Sequence, residues 1–281
     1  MEKFIESPTV KEFCEITHLM YQKGWDERNG GNVSWILDED KVTPYLNNNL
    51  DNIRTIELPF NVKDLANKYL LVTGTGKYFK NIIKDPQDAI GLIQIANDGA
   101  SYEILWGFVN GAVATSELPT HLMNHIQRLK VDKNHRVIMH CHATHTIAMT
   151  FSHELDEKLF TKTLWKMCTE CLVVFPDGIG IIPWVVPGTE EIGKLTAEKM
   201  KDLRSVIWPF HGVFGAGTDL DETFGLIETI EKSAEVYTHV QSQGGVKQDI
   251  SDENLDKLAK GFNVTPKQGY LEVGESYETN C

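Results

Sequence analysis

The stretch Arg136–His145, RVIMHCHATH, constrains this chain more than any other. Val137, Ile138 and Met139 form a short apolar run, long enough for a buried strand, and it ends in His140, Cys141 and His142. Successive side chains on a strand point to opposite faces, so His140 and His142 share one and Cys141 takes the other. Two imidazoles side by side on a rigid strand end are two thirds of a His₃ metal site. A hydrogen-bonded histidine pair at a strand edge is the plainer alternative. A second short apolar run, Val206–Phe210, ends in His211-Gly212. Two strands that each stop at histidine can bring three imidazoles together.

Partners are bounded by charge. A net charge of −13 argues against nucleic acid or an anionic membrane. An anionic small substrate would need a local pocket of donors, which backbone N–H groups can supply. No run approaches the ~20 apolar residues of a membrane helix. The N-terminus, MEKFIESP, has no apolar leader, and the five cysteines are an odd number. These features predict a reduced, cytoplasmic setting with free thiols.

In chain order, Ser7-Pro8 reads as the cap and first position of a helix that Gly24 stops. Trp25–Asn32, WDERNGGN, reads as a turn whose paired glycines let a ligand approach the backbone, with Asn29 and Asn32 offering amides. Val33–Leu37 and Ile53–Leu58 read as strands around an Asn-rich connection at 47–49. Tyr69–Thr73 is a buried strand opening into Gly74-Thr75-Gly76-Lys77. That loop is not a nucleotide P-loop, because Leu71 stands where the leading glycine belongs and Tyr78 follows the lysine. Ile90–Ala96 and Tyr102–Val109 read as a hairpin around Asn97-Asp98-Gly99. Thr115 or Ser116 can cap a helix carrying Pro119 in its first turn. Glu117, His121 and His125 fall on one stripe of it, but Leu122 replaces the glutamate of a zincin motif, so the two histidines read as structural. Helices follow from Thr144 to Met167. Cys168 and Cys171 form a lone C-x-x-C, read as unpaired thiols. Leu172–Phe175 and Ile179–Ile182 read as strands, and Thr189 starts a helix to about Leu203. Gly212–Gly217 reads as a Gly-rich turn, followed by helices from Asp219 to Gln243 and from Ser251 to Phe262. With no long linker and no internal repeat, 1–281 reads as one α/β domain.

Three neutral histidines on a divalent metal leave positions open for substrate, and a nearby carboxylate can move protons. Glu117, beside hydroxyls at a helix N-terminus, is the candidate. The residues thus describe metal-assisted chemistry on a phosphorylated or carboxylated small molecule, with hydrolysis and enolate chemistry equally open.

His140-Cys-His142 with a later lone histidine, Gly30-Gly31-Asn32, Thr73-Gly74-Thr75-Gly76 and Thr115-Ser116-Glu117 together resemble the class II aldolase/adducin family. Longer stretches are similar to one sugar-phosphate aldolase branch of it: KGWDERNGGN, VIMHCHATH, TECLVVFPDG, VPGTEEIG, WPFHGVFG and LDETFGLI. The resemblance runs from about residue 10 to 270. It implies a three-layer α/β/α fold with a central mixed, largely antiparallel sheet. It also implies a zinc lyase, one Zn²⁺ per subunit, that splits a ketose phosphate into dihydroxyacetone phosphate and an aldehyde. Zinc would sit on His140, His142 and His211. Glu117 would be the acid/base for the dihydroxyacetone phosphate carbon, and Glu170, from a neighbouring subunit, would serve the aldehyde side. Asn29, Gly31, Asn32, Thr75, Gly76, Thr115 and Ser116 would hold the phosphate; Thr75 stands where the loop often has serine. A cyclic homotetramer with intersubunit sites is implied as well. The family's rivals to this activity are L-fuculose-phosphate aldolase and L-ribulose-5-phosphate 4-epimerase. A non-enzymatic adducin-like module is disfavoured by the intact histidine set.

Overall fold

The computed structural model describes residues 3–46 and 53–273, so the Asn-rich connection expected at 47–49 lies outside the described residues. Its centre is one nine-stranded sheet. The strands are β1 (Asn32–Leu37), β2 (Arg54–Glu57), β3 (Tyr69–Thr73), β4 (Ile90–Ile95), β5 (Ser101–Gly107), β6 (Val137–Cys141), β7 (Gly180–Ile181), β8 (Ser205–Trp208) and β9 (Gly212–Gly217). They lie in the order β2-β5-β4-β3-β1-β6-β9-β8-β7. Every pairing is antiparallel except β7 with β8, so the sheet is mixed and largely antiparallel, as expected.

Both faces of the sheet are covered, which is why its central strands read as continuous apolar runs rather than alternations. Val33, Trp35, Leu71, Val137, Met139 and Cys141 point to one side. The core on that side also takes in helices α1 (Pro8–Gln22), α5 (Thr144–Ser152), α6 (Glu157–Met167), α9 (Leu220–Ser242) and α10 (Asp252–Phe262). Ile36, Leu70, Val72 and Ile93 point to the other side, against α4 (Leu118–Val131). Ile138, Val206 and Phe214 meet α8 (Glu190–Lys199) on that same side. These are the three layers of the expected α/β/α fold. Short helices α2 (Phe79–Ile82), α3 (Pro86–Ala89) and α7 (Glu170–Val174) complete it. Capping is local and legible: Ser7 accepts from the Val10 N–H, Asp219 from Glu222 and Ser251 from Asn254.

Four expectations are corrected. Leu172–Phe175 is not a strand but largely the helical turn α7; a four-residue apolar run carries no period that separates the two states. The helix begun at Thr189 ends at Lys199, short of Leu203. Neither Thr115 nor Ser116 caps α4, because the Ncap position falls on Glu117, whose side chain is engaged elsewhere. Gly212–Gly217 is not a turn but β9, buried along its whole length between β6 and β8. Its glycines are there for proximity. A Cβ on Gly215 would sit 2.9 Å from Ile227, and one on Gly217 2.5 Å from the Thr223 hydroxyl, both on α9. The helix can lie directly on the strand only because those side chains are missing.

Candidate active site

β3, β6 and β8 run in one direction, since β3 and β6 each pair antiparallel with β1, and β6 and β8 each pair antiparallel with β9. Their C-terminal ends therefore reach the same edge of the sheet. Thr73-Gly74, His140–His142 and the loop ending in His211 emerge there side by side. β1 runs the other way and starts at that edge, with Asn32 directly opposite His140. Thr115 is drawn in by its N–H, which donates to the Thr73 carbonyl at 2.9 Å, and the Thr75 N–H donates to Val113 at 3.0 Å. Segments distant in sequence thus surround one cleft of about 330 Å³.

The three histidines meet at its floor. Their ring centroids lie 5.0 to 5.4 Å apart, and one nitrogen from each lies within 4.8 Å of the others. His140 is buried, stacked on Phe214 at 4.4 Å. Its Nδ1 donates to the Val213 carbonyl at 3.1 Å, which leaves Nε2 as a bare lone pair, buried and with no hydrogen-bond partner among the described residues. His142 is oriented in the same sense, with Nδ1 2.8 Å from a Glu27 carboxylate oxygen. Burial, then the neighbouring His211 and His142, push His140 well below the usual imidazole range. Burial and His142 push His211 down to about 4. Three converging ring nitrogens, with His140 and His142 each turned by a bond to the other nitrogen, are the donor set of a divalent metal site. The residues fit zinc, whose catalytic sites take three protein ligands, three histidines among them, and leave a fourth position open.

Every phosphate-binding candidate lines the same cleft: Asn29, Gly31, Asn32, Thr75, Gly76, Thr115 and Ser116. The turn before β1 is tight. Gly31 has φ +73°, and a Cβ there would overlap the Asp26 carboxylate. Glu117 lies between these loops and the histidines, with Oε2 3.8 Å from His140 Nε2 and accepting from the Asn32 amide at 3.0 Å. Burial raises the pKa of its carboxyl, while the Asn32 hydrogen bond and His142 oppose that rise. Glu170 is the exception. It is fully exposed on α7 and lines a separate cavity of about 630 Å³ with Lys23, Trp25 and His145. The Cys168 thiol donates to it at 2.9 Å and holds its carboxyl below the usual range.

Two groups near the site were not singled out from the sequence. Glu27 hides in the turn, where the amides and glycines drew attention, and nothing local ties it to His142, 115 positions away. Ser34, in the middle of β1, bonds both His121 and His125, which confirms that those two histidines stay off the metal cluster.

The model of the family "Class II Aldolase and Adducin N-terminal domain" matches residues 11–238, most of this chain. The chain belongs to the class II aldolase and adducin family. Within it, the chain is 59% identical over 262 residues to the rhamnulose-1-phosphate aldolase of Listeria monocytogenes, covering 93% of this chain and 96% of that one. It is 57% identical over 268 residues to the rhamnulose-1-phosphate aldolase of Enterococcus faecalis, covering 95% and 96%. Among solved structures, a sugar-phosphate aldolase from Thermotoga maritima superposes with a TM-score of 0.73 at 32% identity, over 85% of this chain and 97% of that one. An L-fuculose 1-phosphate aldolase shares the class II aldolase fold at a TM-score of 0.60 and 18% identity, over 93% of this chain and all of that one.

Proposed function

We propose that this chain is a metal-dependent lyase that cleaves L-rhamnulose 1-phosphate reversibly into dihydroxyacetone phosphate and L-lactaldehyde, a step of L-rhamnose breakdown. The observation that carries the reading is the buried, partnerless Nε2 of His140, aimed into the same cleft as His142, His211 and the Glu117 carboxylate. Near-full-length similarity to rhamnulose-1-phosphate aldolases supports the choice of sugar.

His140, His142 and His211 would hold one Zn²⁺, and the ion would supply a Lewis acid for the negative charge that the substrate's ketone oxygen gains. The phosphate is held at the other side of the cleft. Asn29 and the hydroxyls of Thr75, Thr115 and Ser116 donate to it, with backbone N–H groups at Gly31 and Gly76. Asn32, whose amide donates to Glu117, ties the phosphate loops to the acid/base. In the cleavage direction Glu170 takes the proton of the C4 hydroxyl, and the C3–C4 bond breaks toward the ketone. Glu117 then delivers a proton to C3 of the departing dihydroxyacetone phosphate. A carboxyl held above its ordinary pKa by burial suits that donor role.

Glu170 lies outside the cleft of its own chain, which supports its serving a neighbour's site in the homotetramer that this reading includes. The single continuous sheet supports reading 1–281 as one domain. No helix among the described residues is long and apolar enough to cross a membrane, and the reading places the enzyme in the cytoplasm. Metal analysis with a cleavage assay, before and after a chelator, tests the whole. The expected result is one zinc per chain and release of dihydroxyacetone phosphate from L-rhamnulose 1-phosphate only by the loaded protein. Zinc without cleavage would withdraw the substrate, and cleavage after complete metal removal would withdraw the mechanism.

A further inference from the structure

Behind Glu117, a file of polar groups runs into the core of the molecule. Asn32 Nδ2 donates to Glu117 Oε2 at 3.0 Å. Asn32 Oδ1 faces His121 Nε2 in a short contact. His121 Nδ1 lies 2.7 Å from Ser34 Oγ, and Ser34 Oγ lies 2.7 Å from His125 Nε2. Ser34, His121 and His125 are completely buried. None of them is open to bulk solvent, so each must place its protons on a partner inside the protein.

That requirement gives the file a single direction. Asn32 turns its NH₂ to Glu117 and its carbonyl to His121, and a carbonyl oxygen only accepts. His121 must then carry its proton on Nε2. A neutral imidazole has one proton, so Nδ1 accepts, and its donor among the described residues is the Ser34 hydroxyl. With that proton committed, Ser34 accepts from His125, whose proton sits on Nε2. The far end should then be a bare acceptor, His125 Nδ1, and that atom is buried with no partner among the described residues. The reverse order would need a flipped amide and would strand an N–H in the core, which is the costlier orphan. Burial favours the neutral form of both rings: His121 is held down to about 3 and His125 well below its usual value. The edge of the His121 ring against Phe214, which stacks on His140, fixes its plane.

We infer that Ser34, His121 and His125 are positioning residues, a one-way chain of donors that locks the Asn32 amide and, through it, holds the Glu117 carboxylate beside the metal-site histidines. None of the three touches the cleft. The inference rests on the reading of Glu117 as acid/base, but the proton order can be tested without it.

The first test is neutron diffraction on the unmodified, perdeuterated, zinc-loaded protein. Deuterium on Nε2 of both His121 and His125, with Nδ1 of each bare, is expected. Deuterium on Nδ1 of His121 would overturn the inference whether or not the protein cleaves any sugar. The second test is kinetic. Ser34→Ala should lower kcat by about tenfold, the scale of leaving one buried neutral partner without its hydrogen bond, with zinc content retained. His121→Phe should do the same, and His121→Gln, whose amide can donate where Nε2 did, should recover most of it. In a Glu117→Ser background Ser34→Ala should cost nothing further, because residues that act through one group are not additive with its loss. An equal loss in both backgrounds would make Ser34 a stability residue and discard the positioning role. An inactive parent enzyme would sink the function proposed above while leaving the neutron result to decide the proton order.

Discussion

At the scale of single residues, the site depends on how each histidine is turned. His140 is oriented by a backbone carbonyl and His142 by the carboxylate of Glu27. Removing an outer partner of a metal-binding histidine characteristically costs 10- to 100-fold in metal affinity. Glu27→Ala should therefore weaken zinc binding by about that factor, read by competition with a chromogenic chelator; unchanged affinity would make the pair incidental. Glu117→Ser should do the opposite. It should keep zinc and lose about 100-fold in kcat, the scale of one general acid/base, with metal content and turnover measured on the same sample. The histidines were legible in the sequence because a strand end is a local pattern: Val137–Met139 set the faces and His140 and His142 follow. Glu27 and Ser34 were not. Their meaning lies in partners 115, 87 and 91 positions away, which no window on the chain contains.

At the scale of elements, the informative case is β9. Read from the sequence, three glycines in six residues suggest a turn, because glycine's backbone freedom is its most visible property. What matters here is the absence of a side chain under α9. Gly215→Val should drive its side chain into Ile227 and lower the melting temperature, for a cost of about 1–3 kcal/mol typical of overpacking. A partial rescue by Ile227→Ala would identify the contact, and an unchanged melting temperature in the single variant would refute it. α7 was misread for a different reason, since Leu172–Phe175 is too short for any period to show. Elements with caps at both hand and pattern, such as α1 behind Ser7 and α9 behind Asp219, were legible because each cap is a bond between near neighbours.

At the scale of the whole molecule, Glu170 and the histidines of one chain occupy different cavities. If Glu170 serves the site of a second subunit, two inactive proteins can restore one another. Co-expressed His140→Ala and Glu170→Ala chains should show activity that neither shows alone, because mixed assemblies contain some sites with every group intact. No activity in verified mixed assemblies would confine Glu170 to its own chain or remove it from the reaction. The shared edge reached by β3, β6 and β8 has a consequence for how the protein comes to be active at all. Asn32 meets Glu117 across 85 positions, and His142 meets Glu27 across 115. No short fragment of the nascent chain holds the whole centre. Pairings of such high contact order form slowly and together, so metal-binding competence should arrive in one step, with the closing of the middle of the sheet.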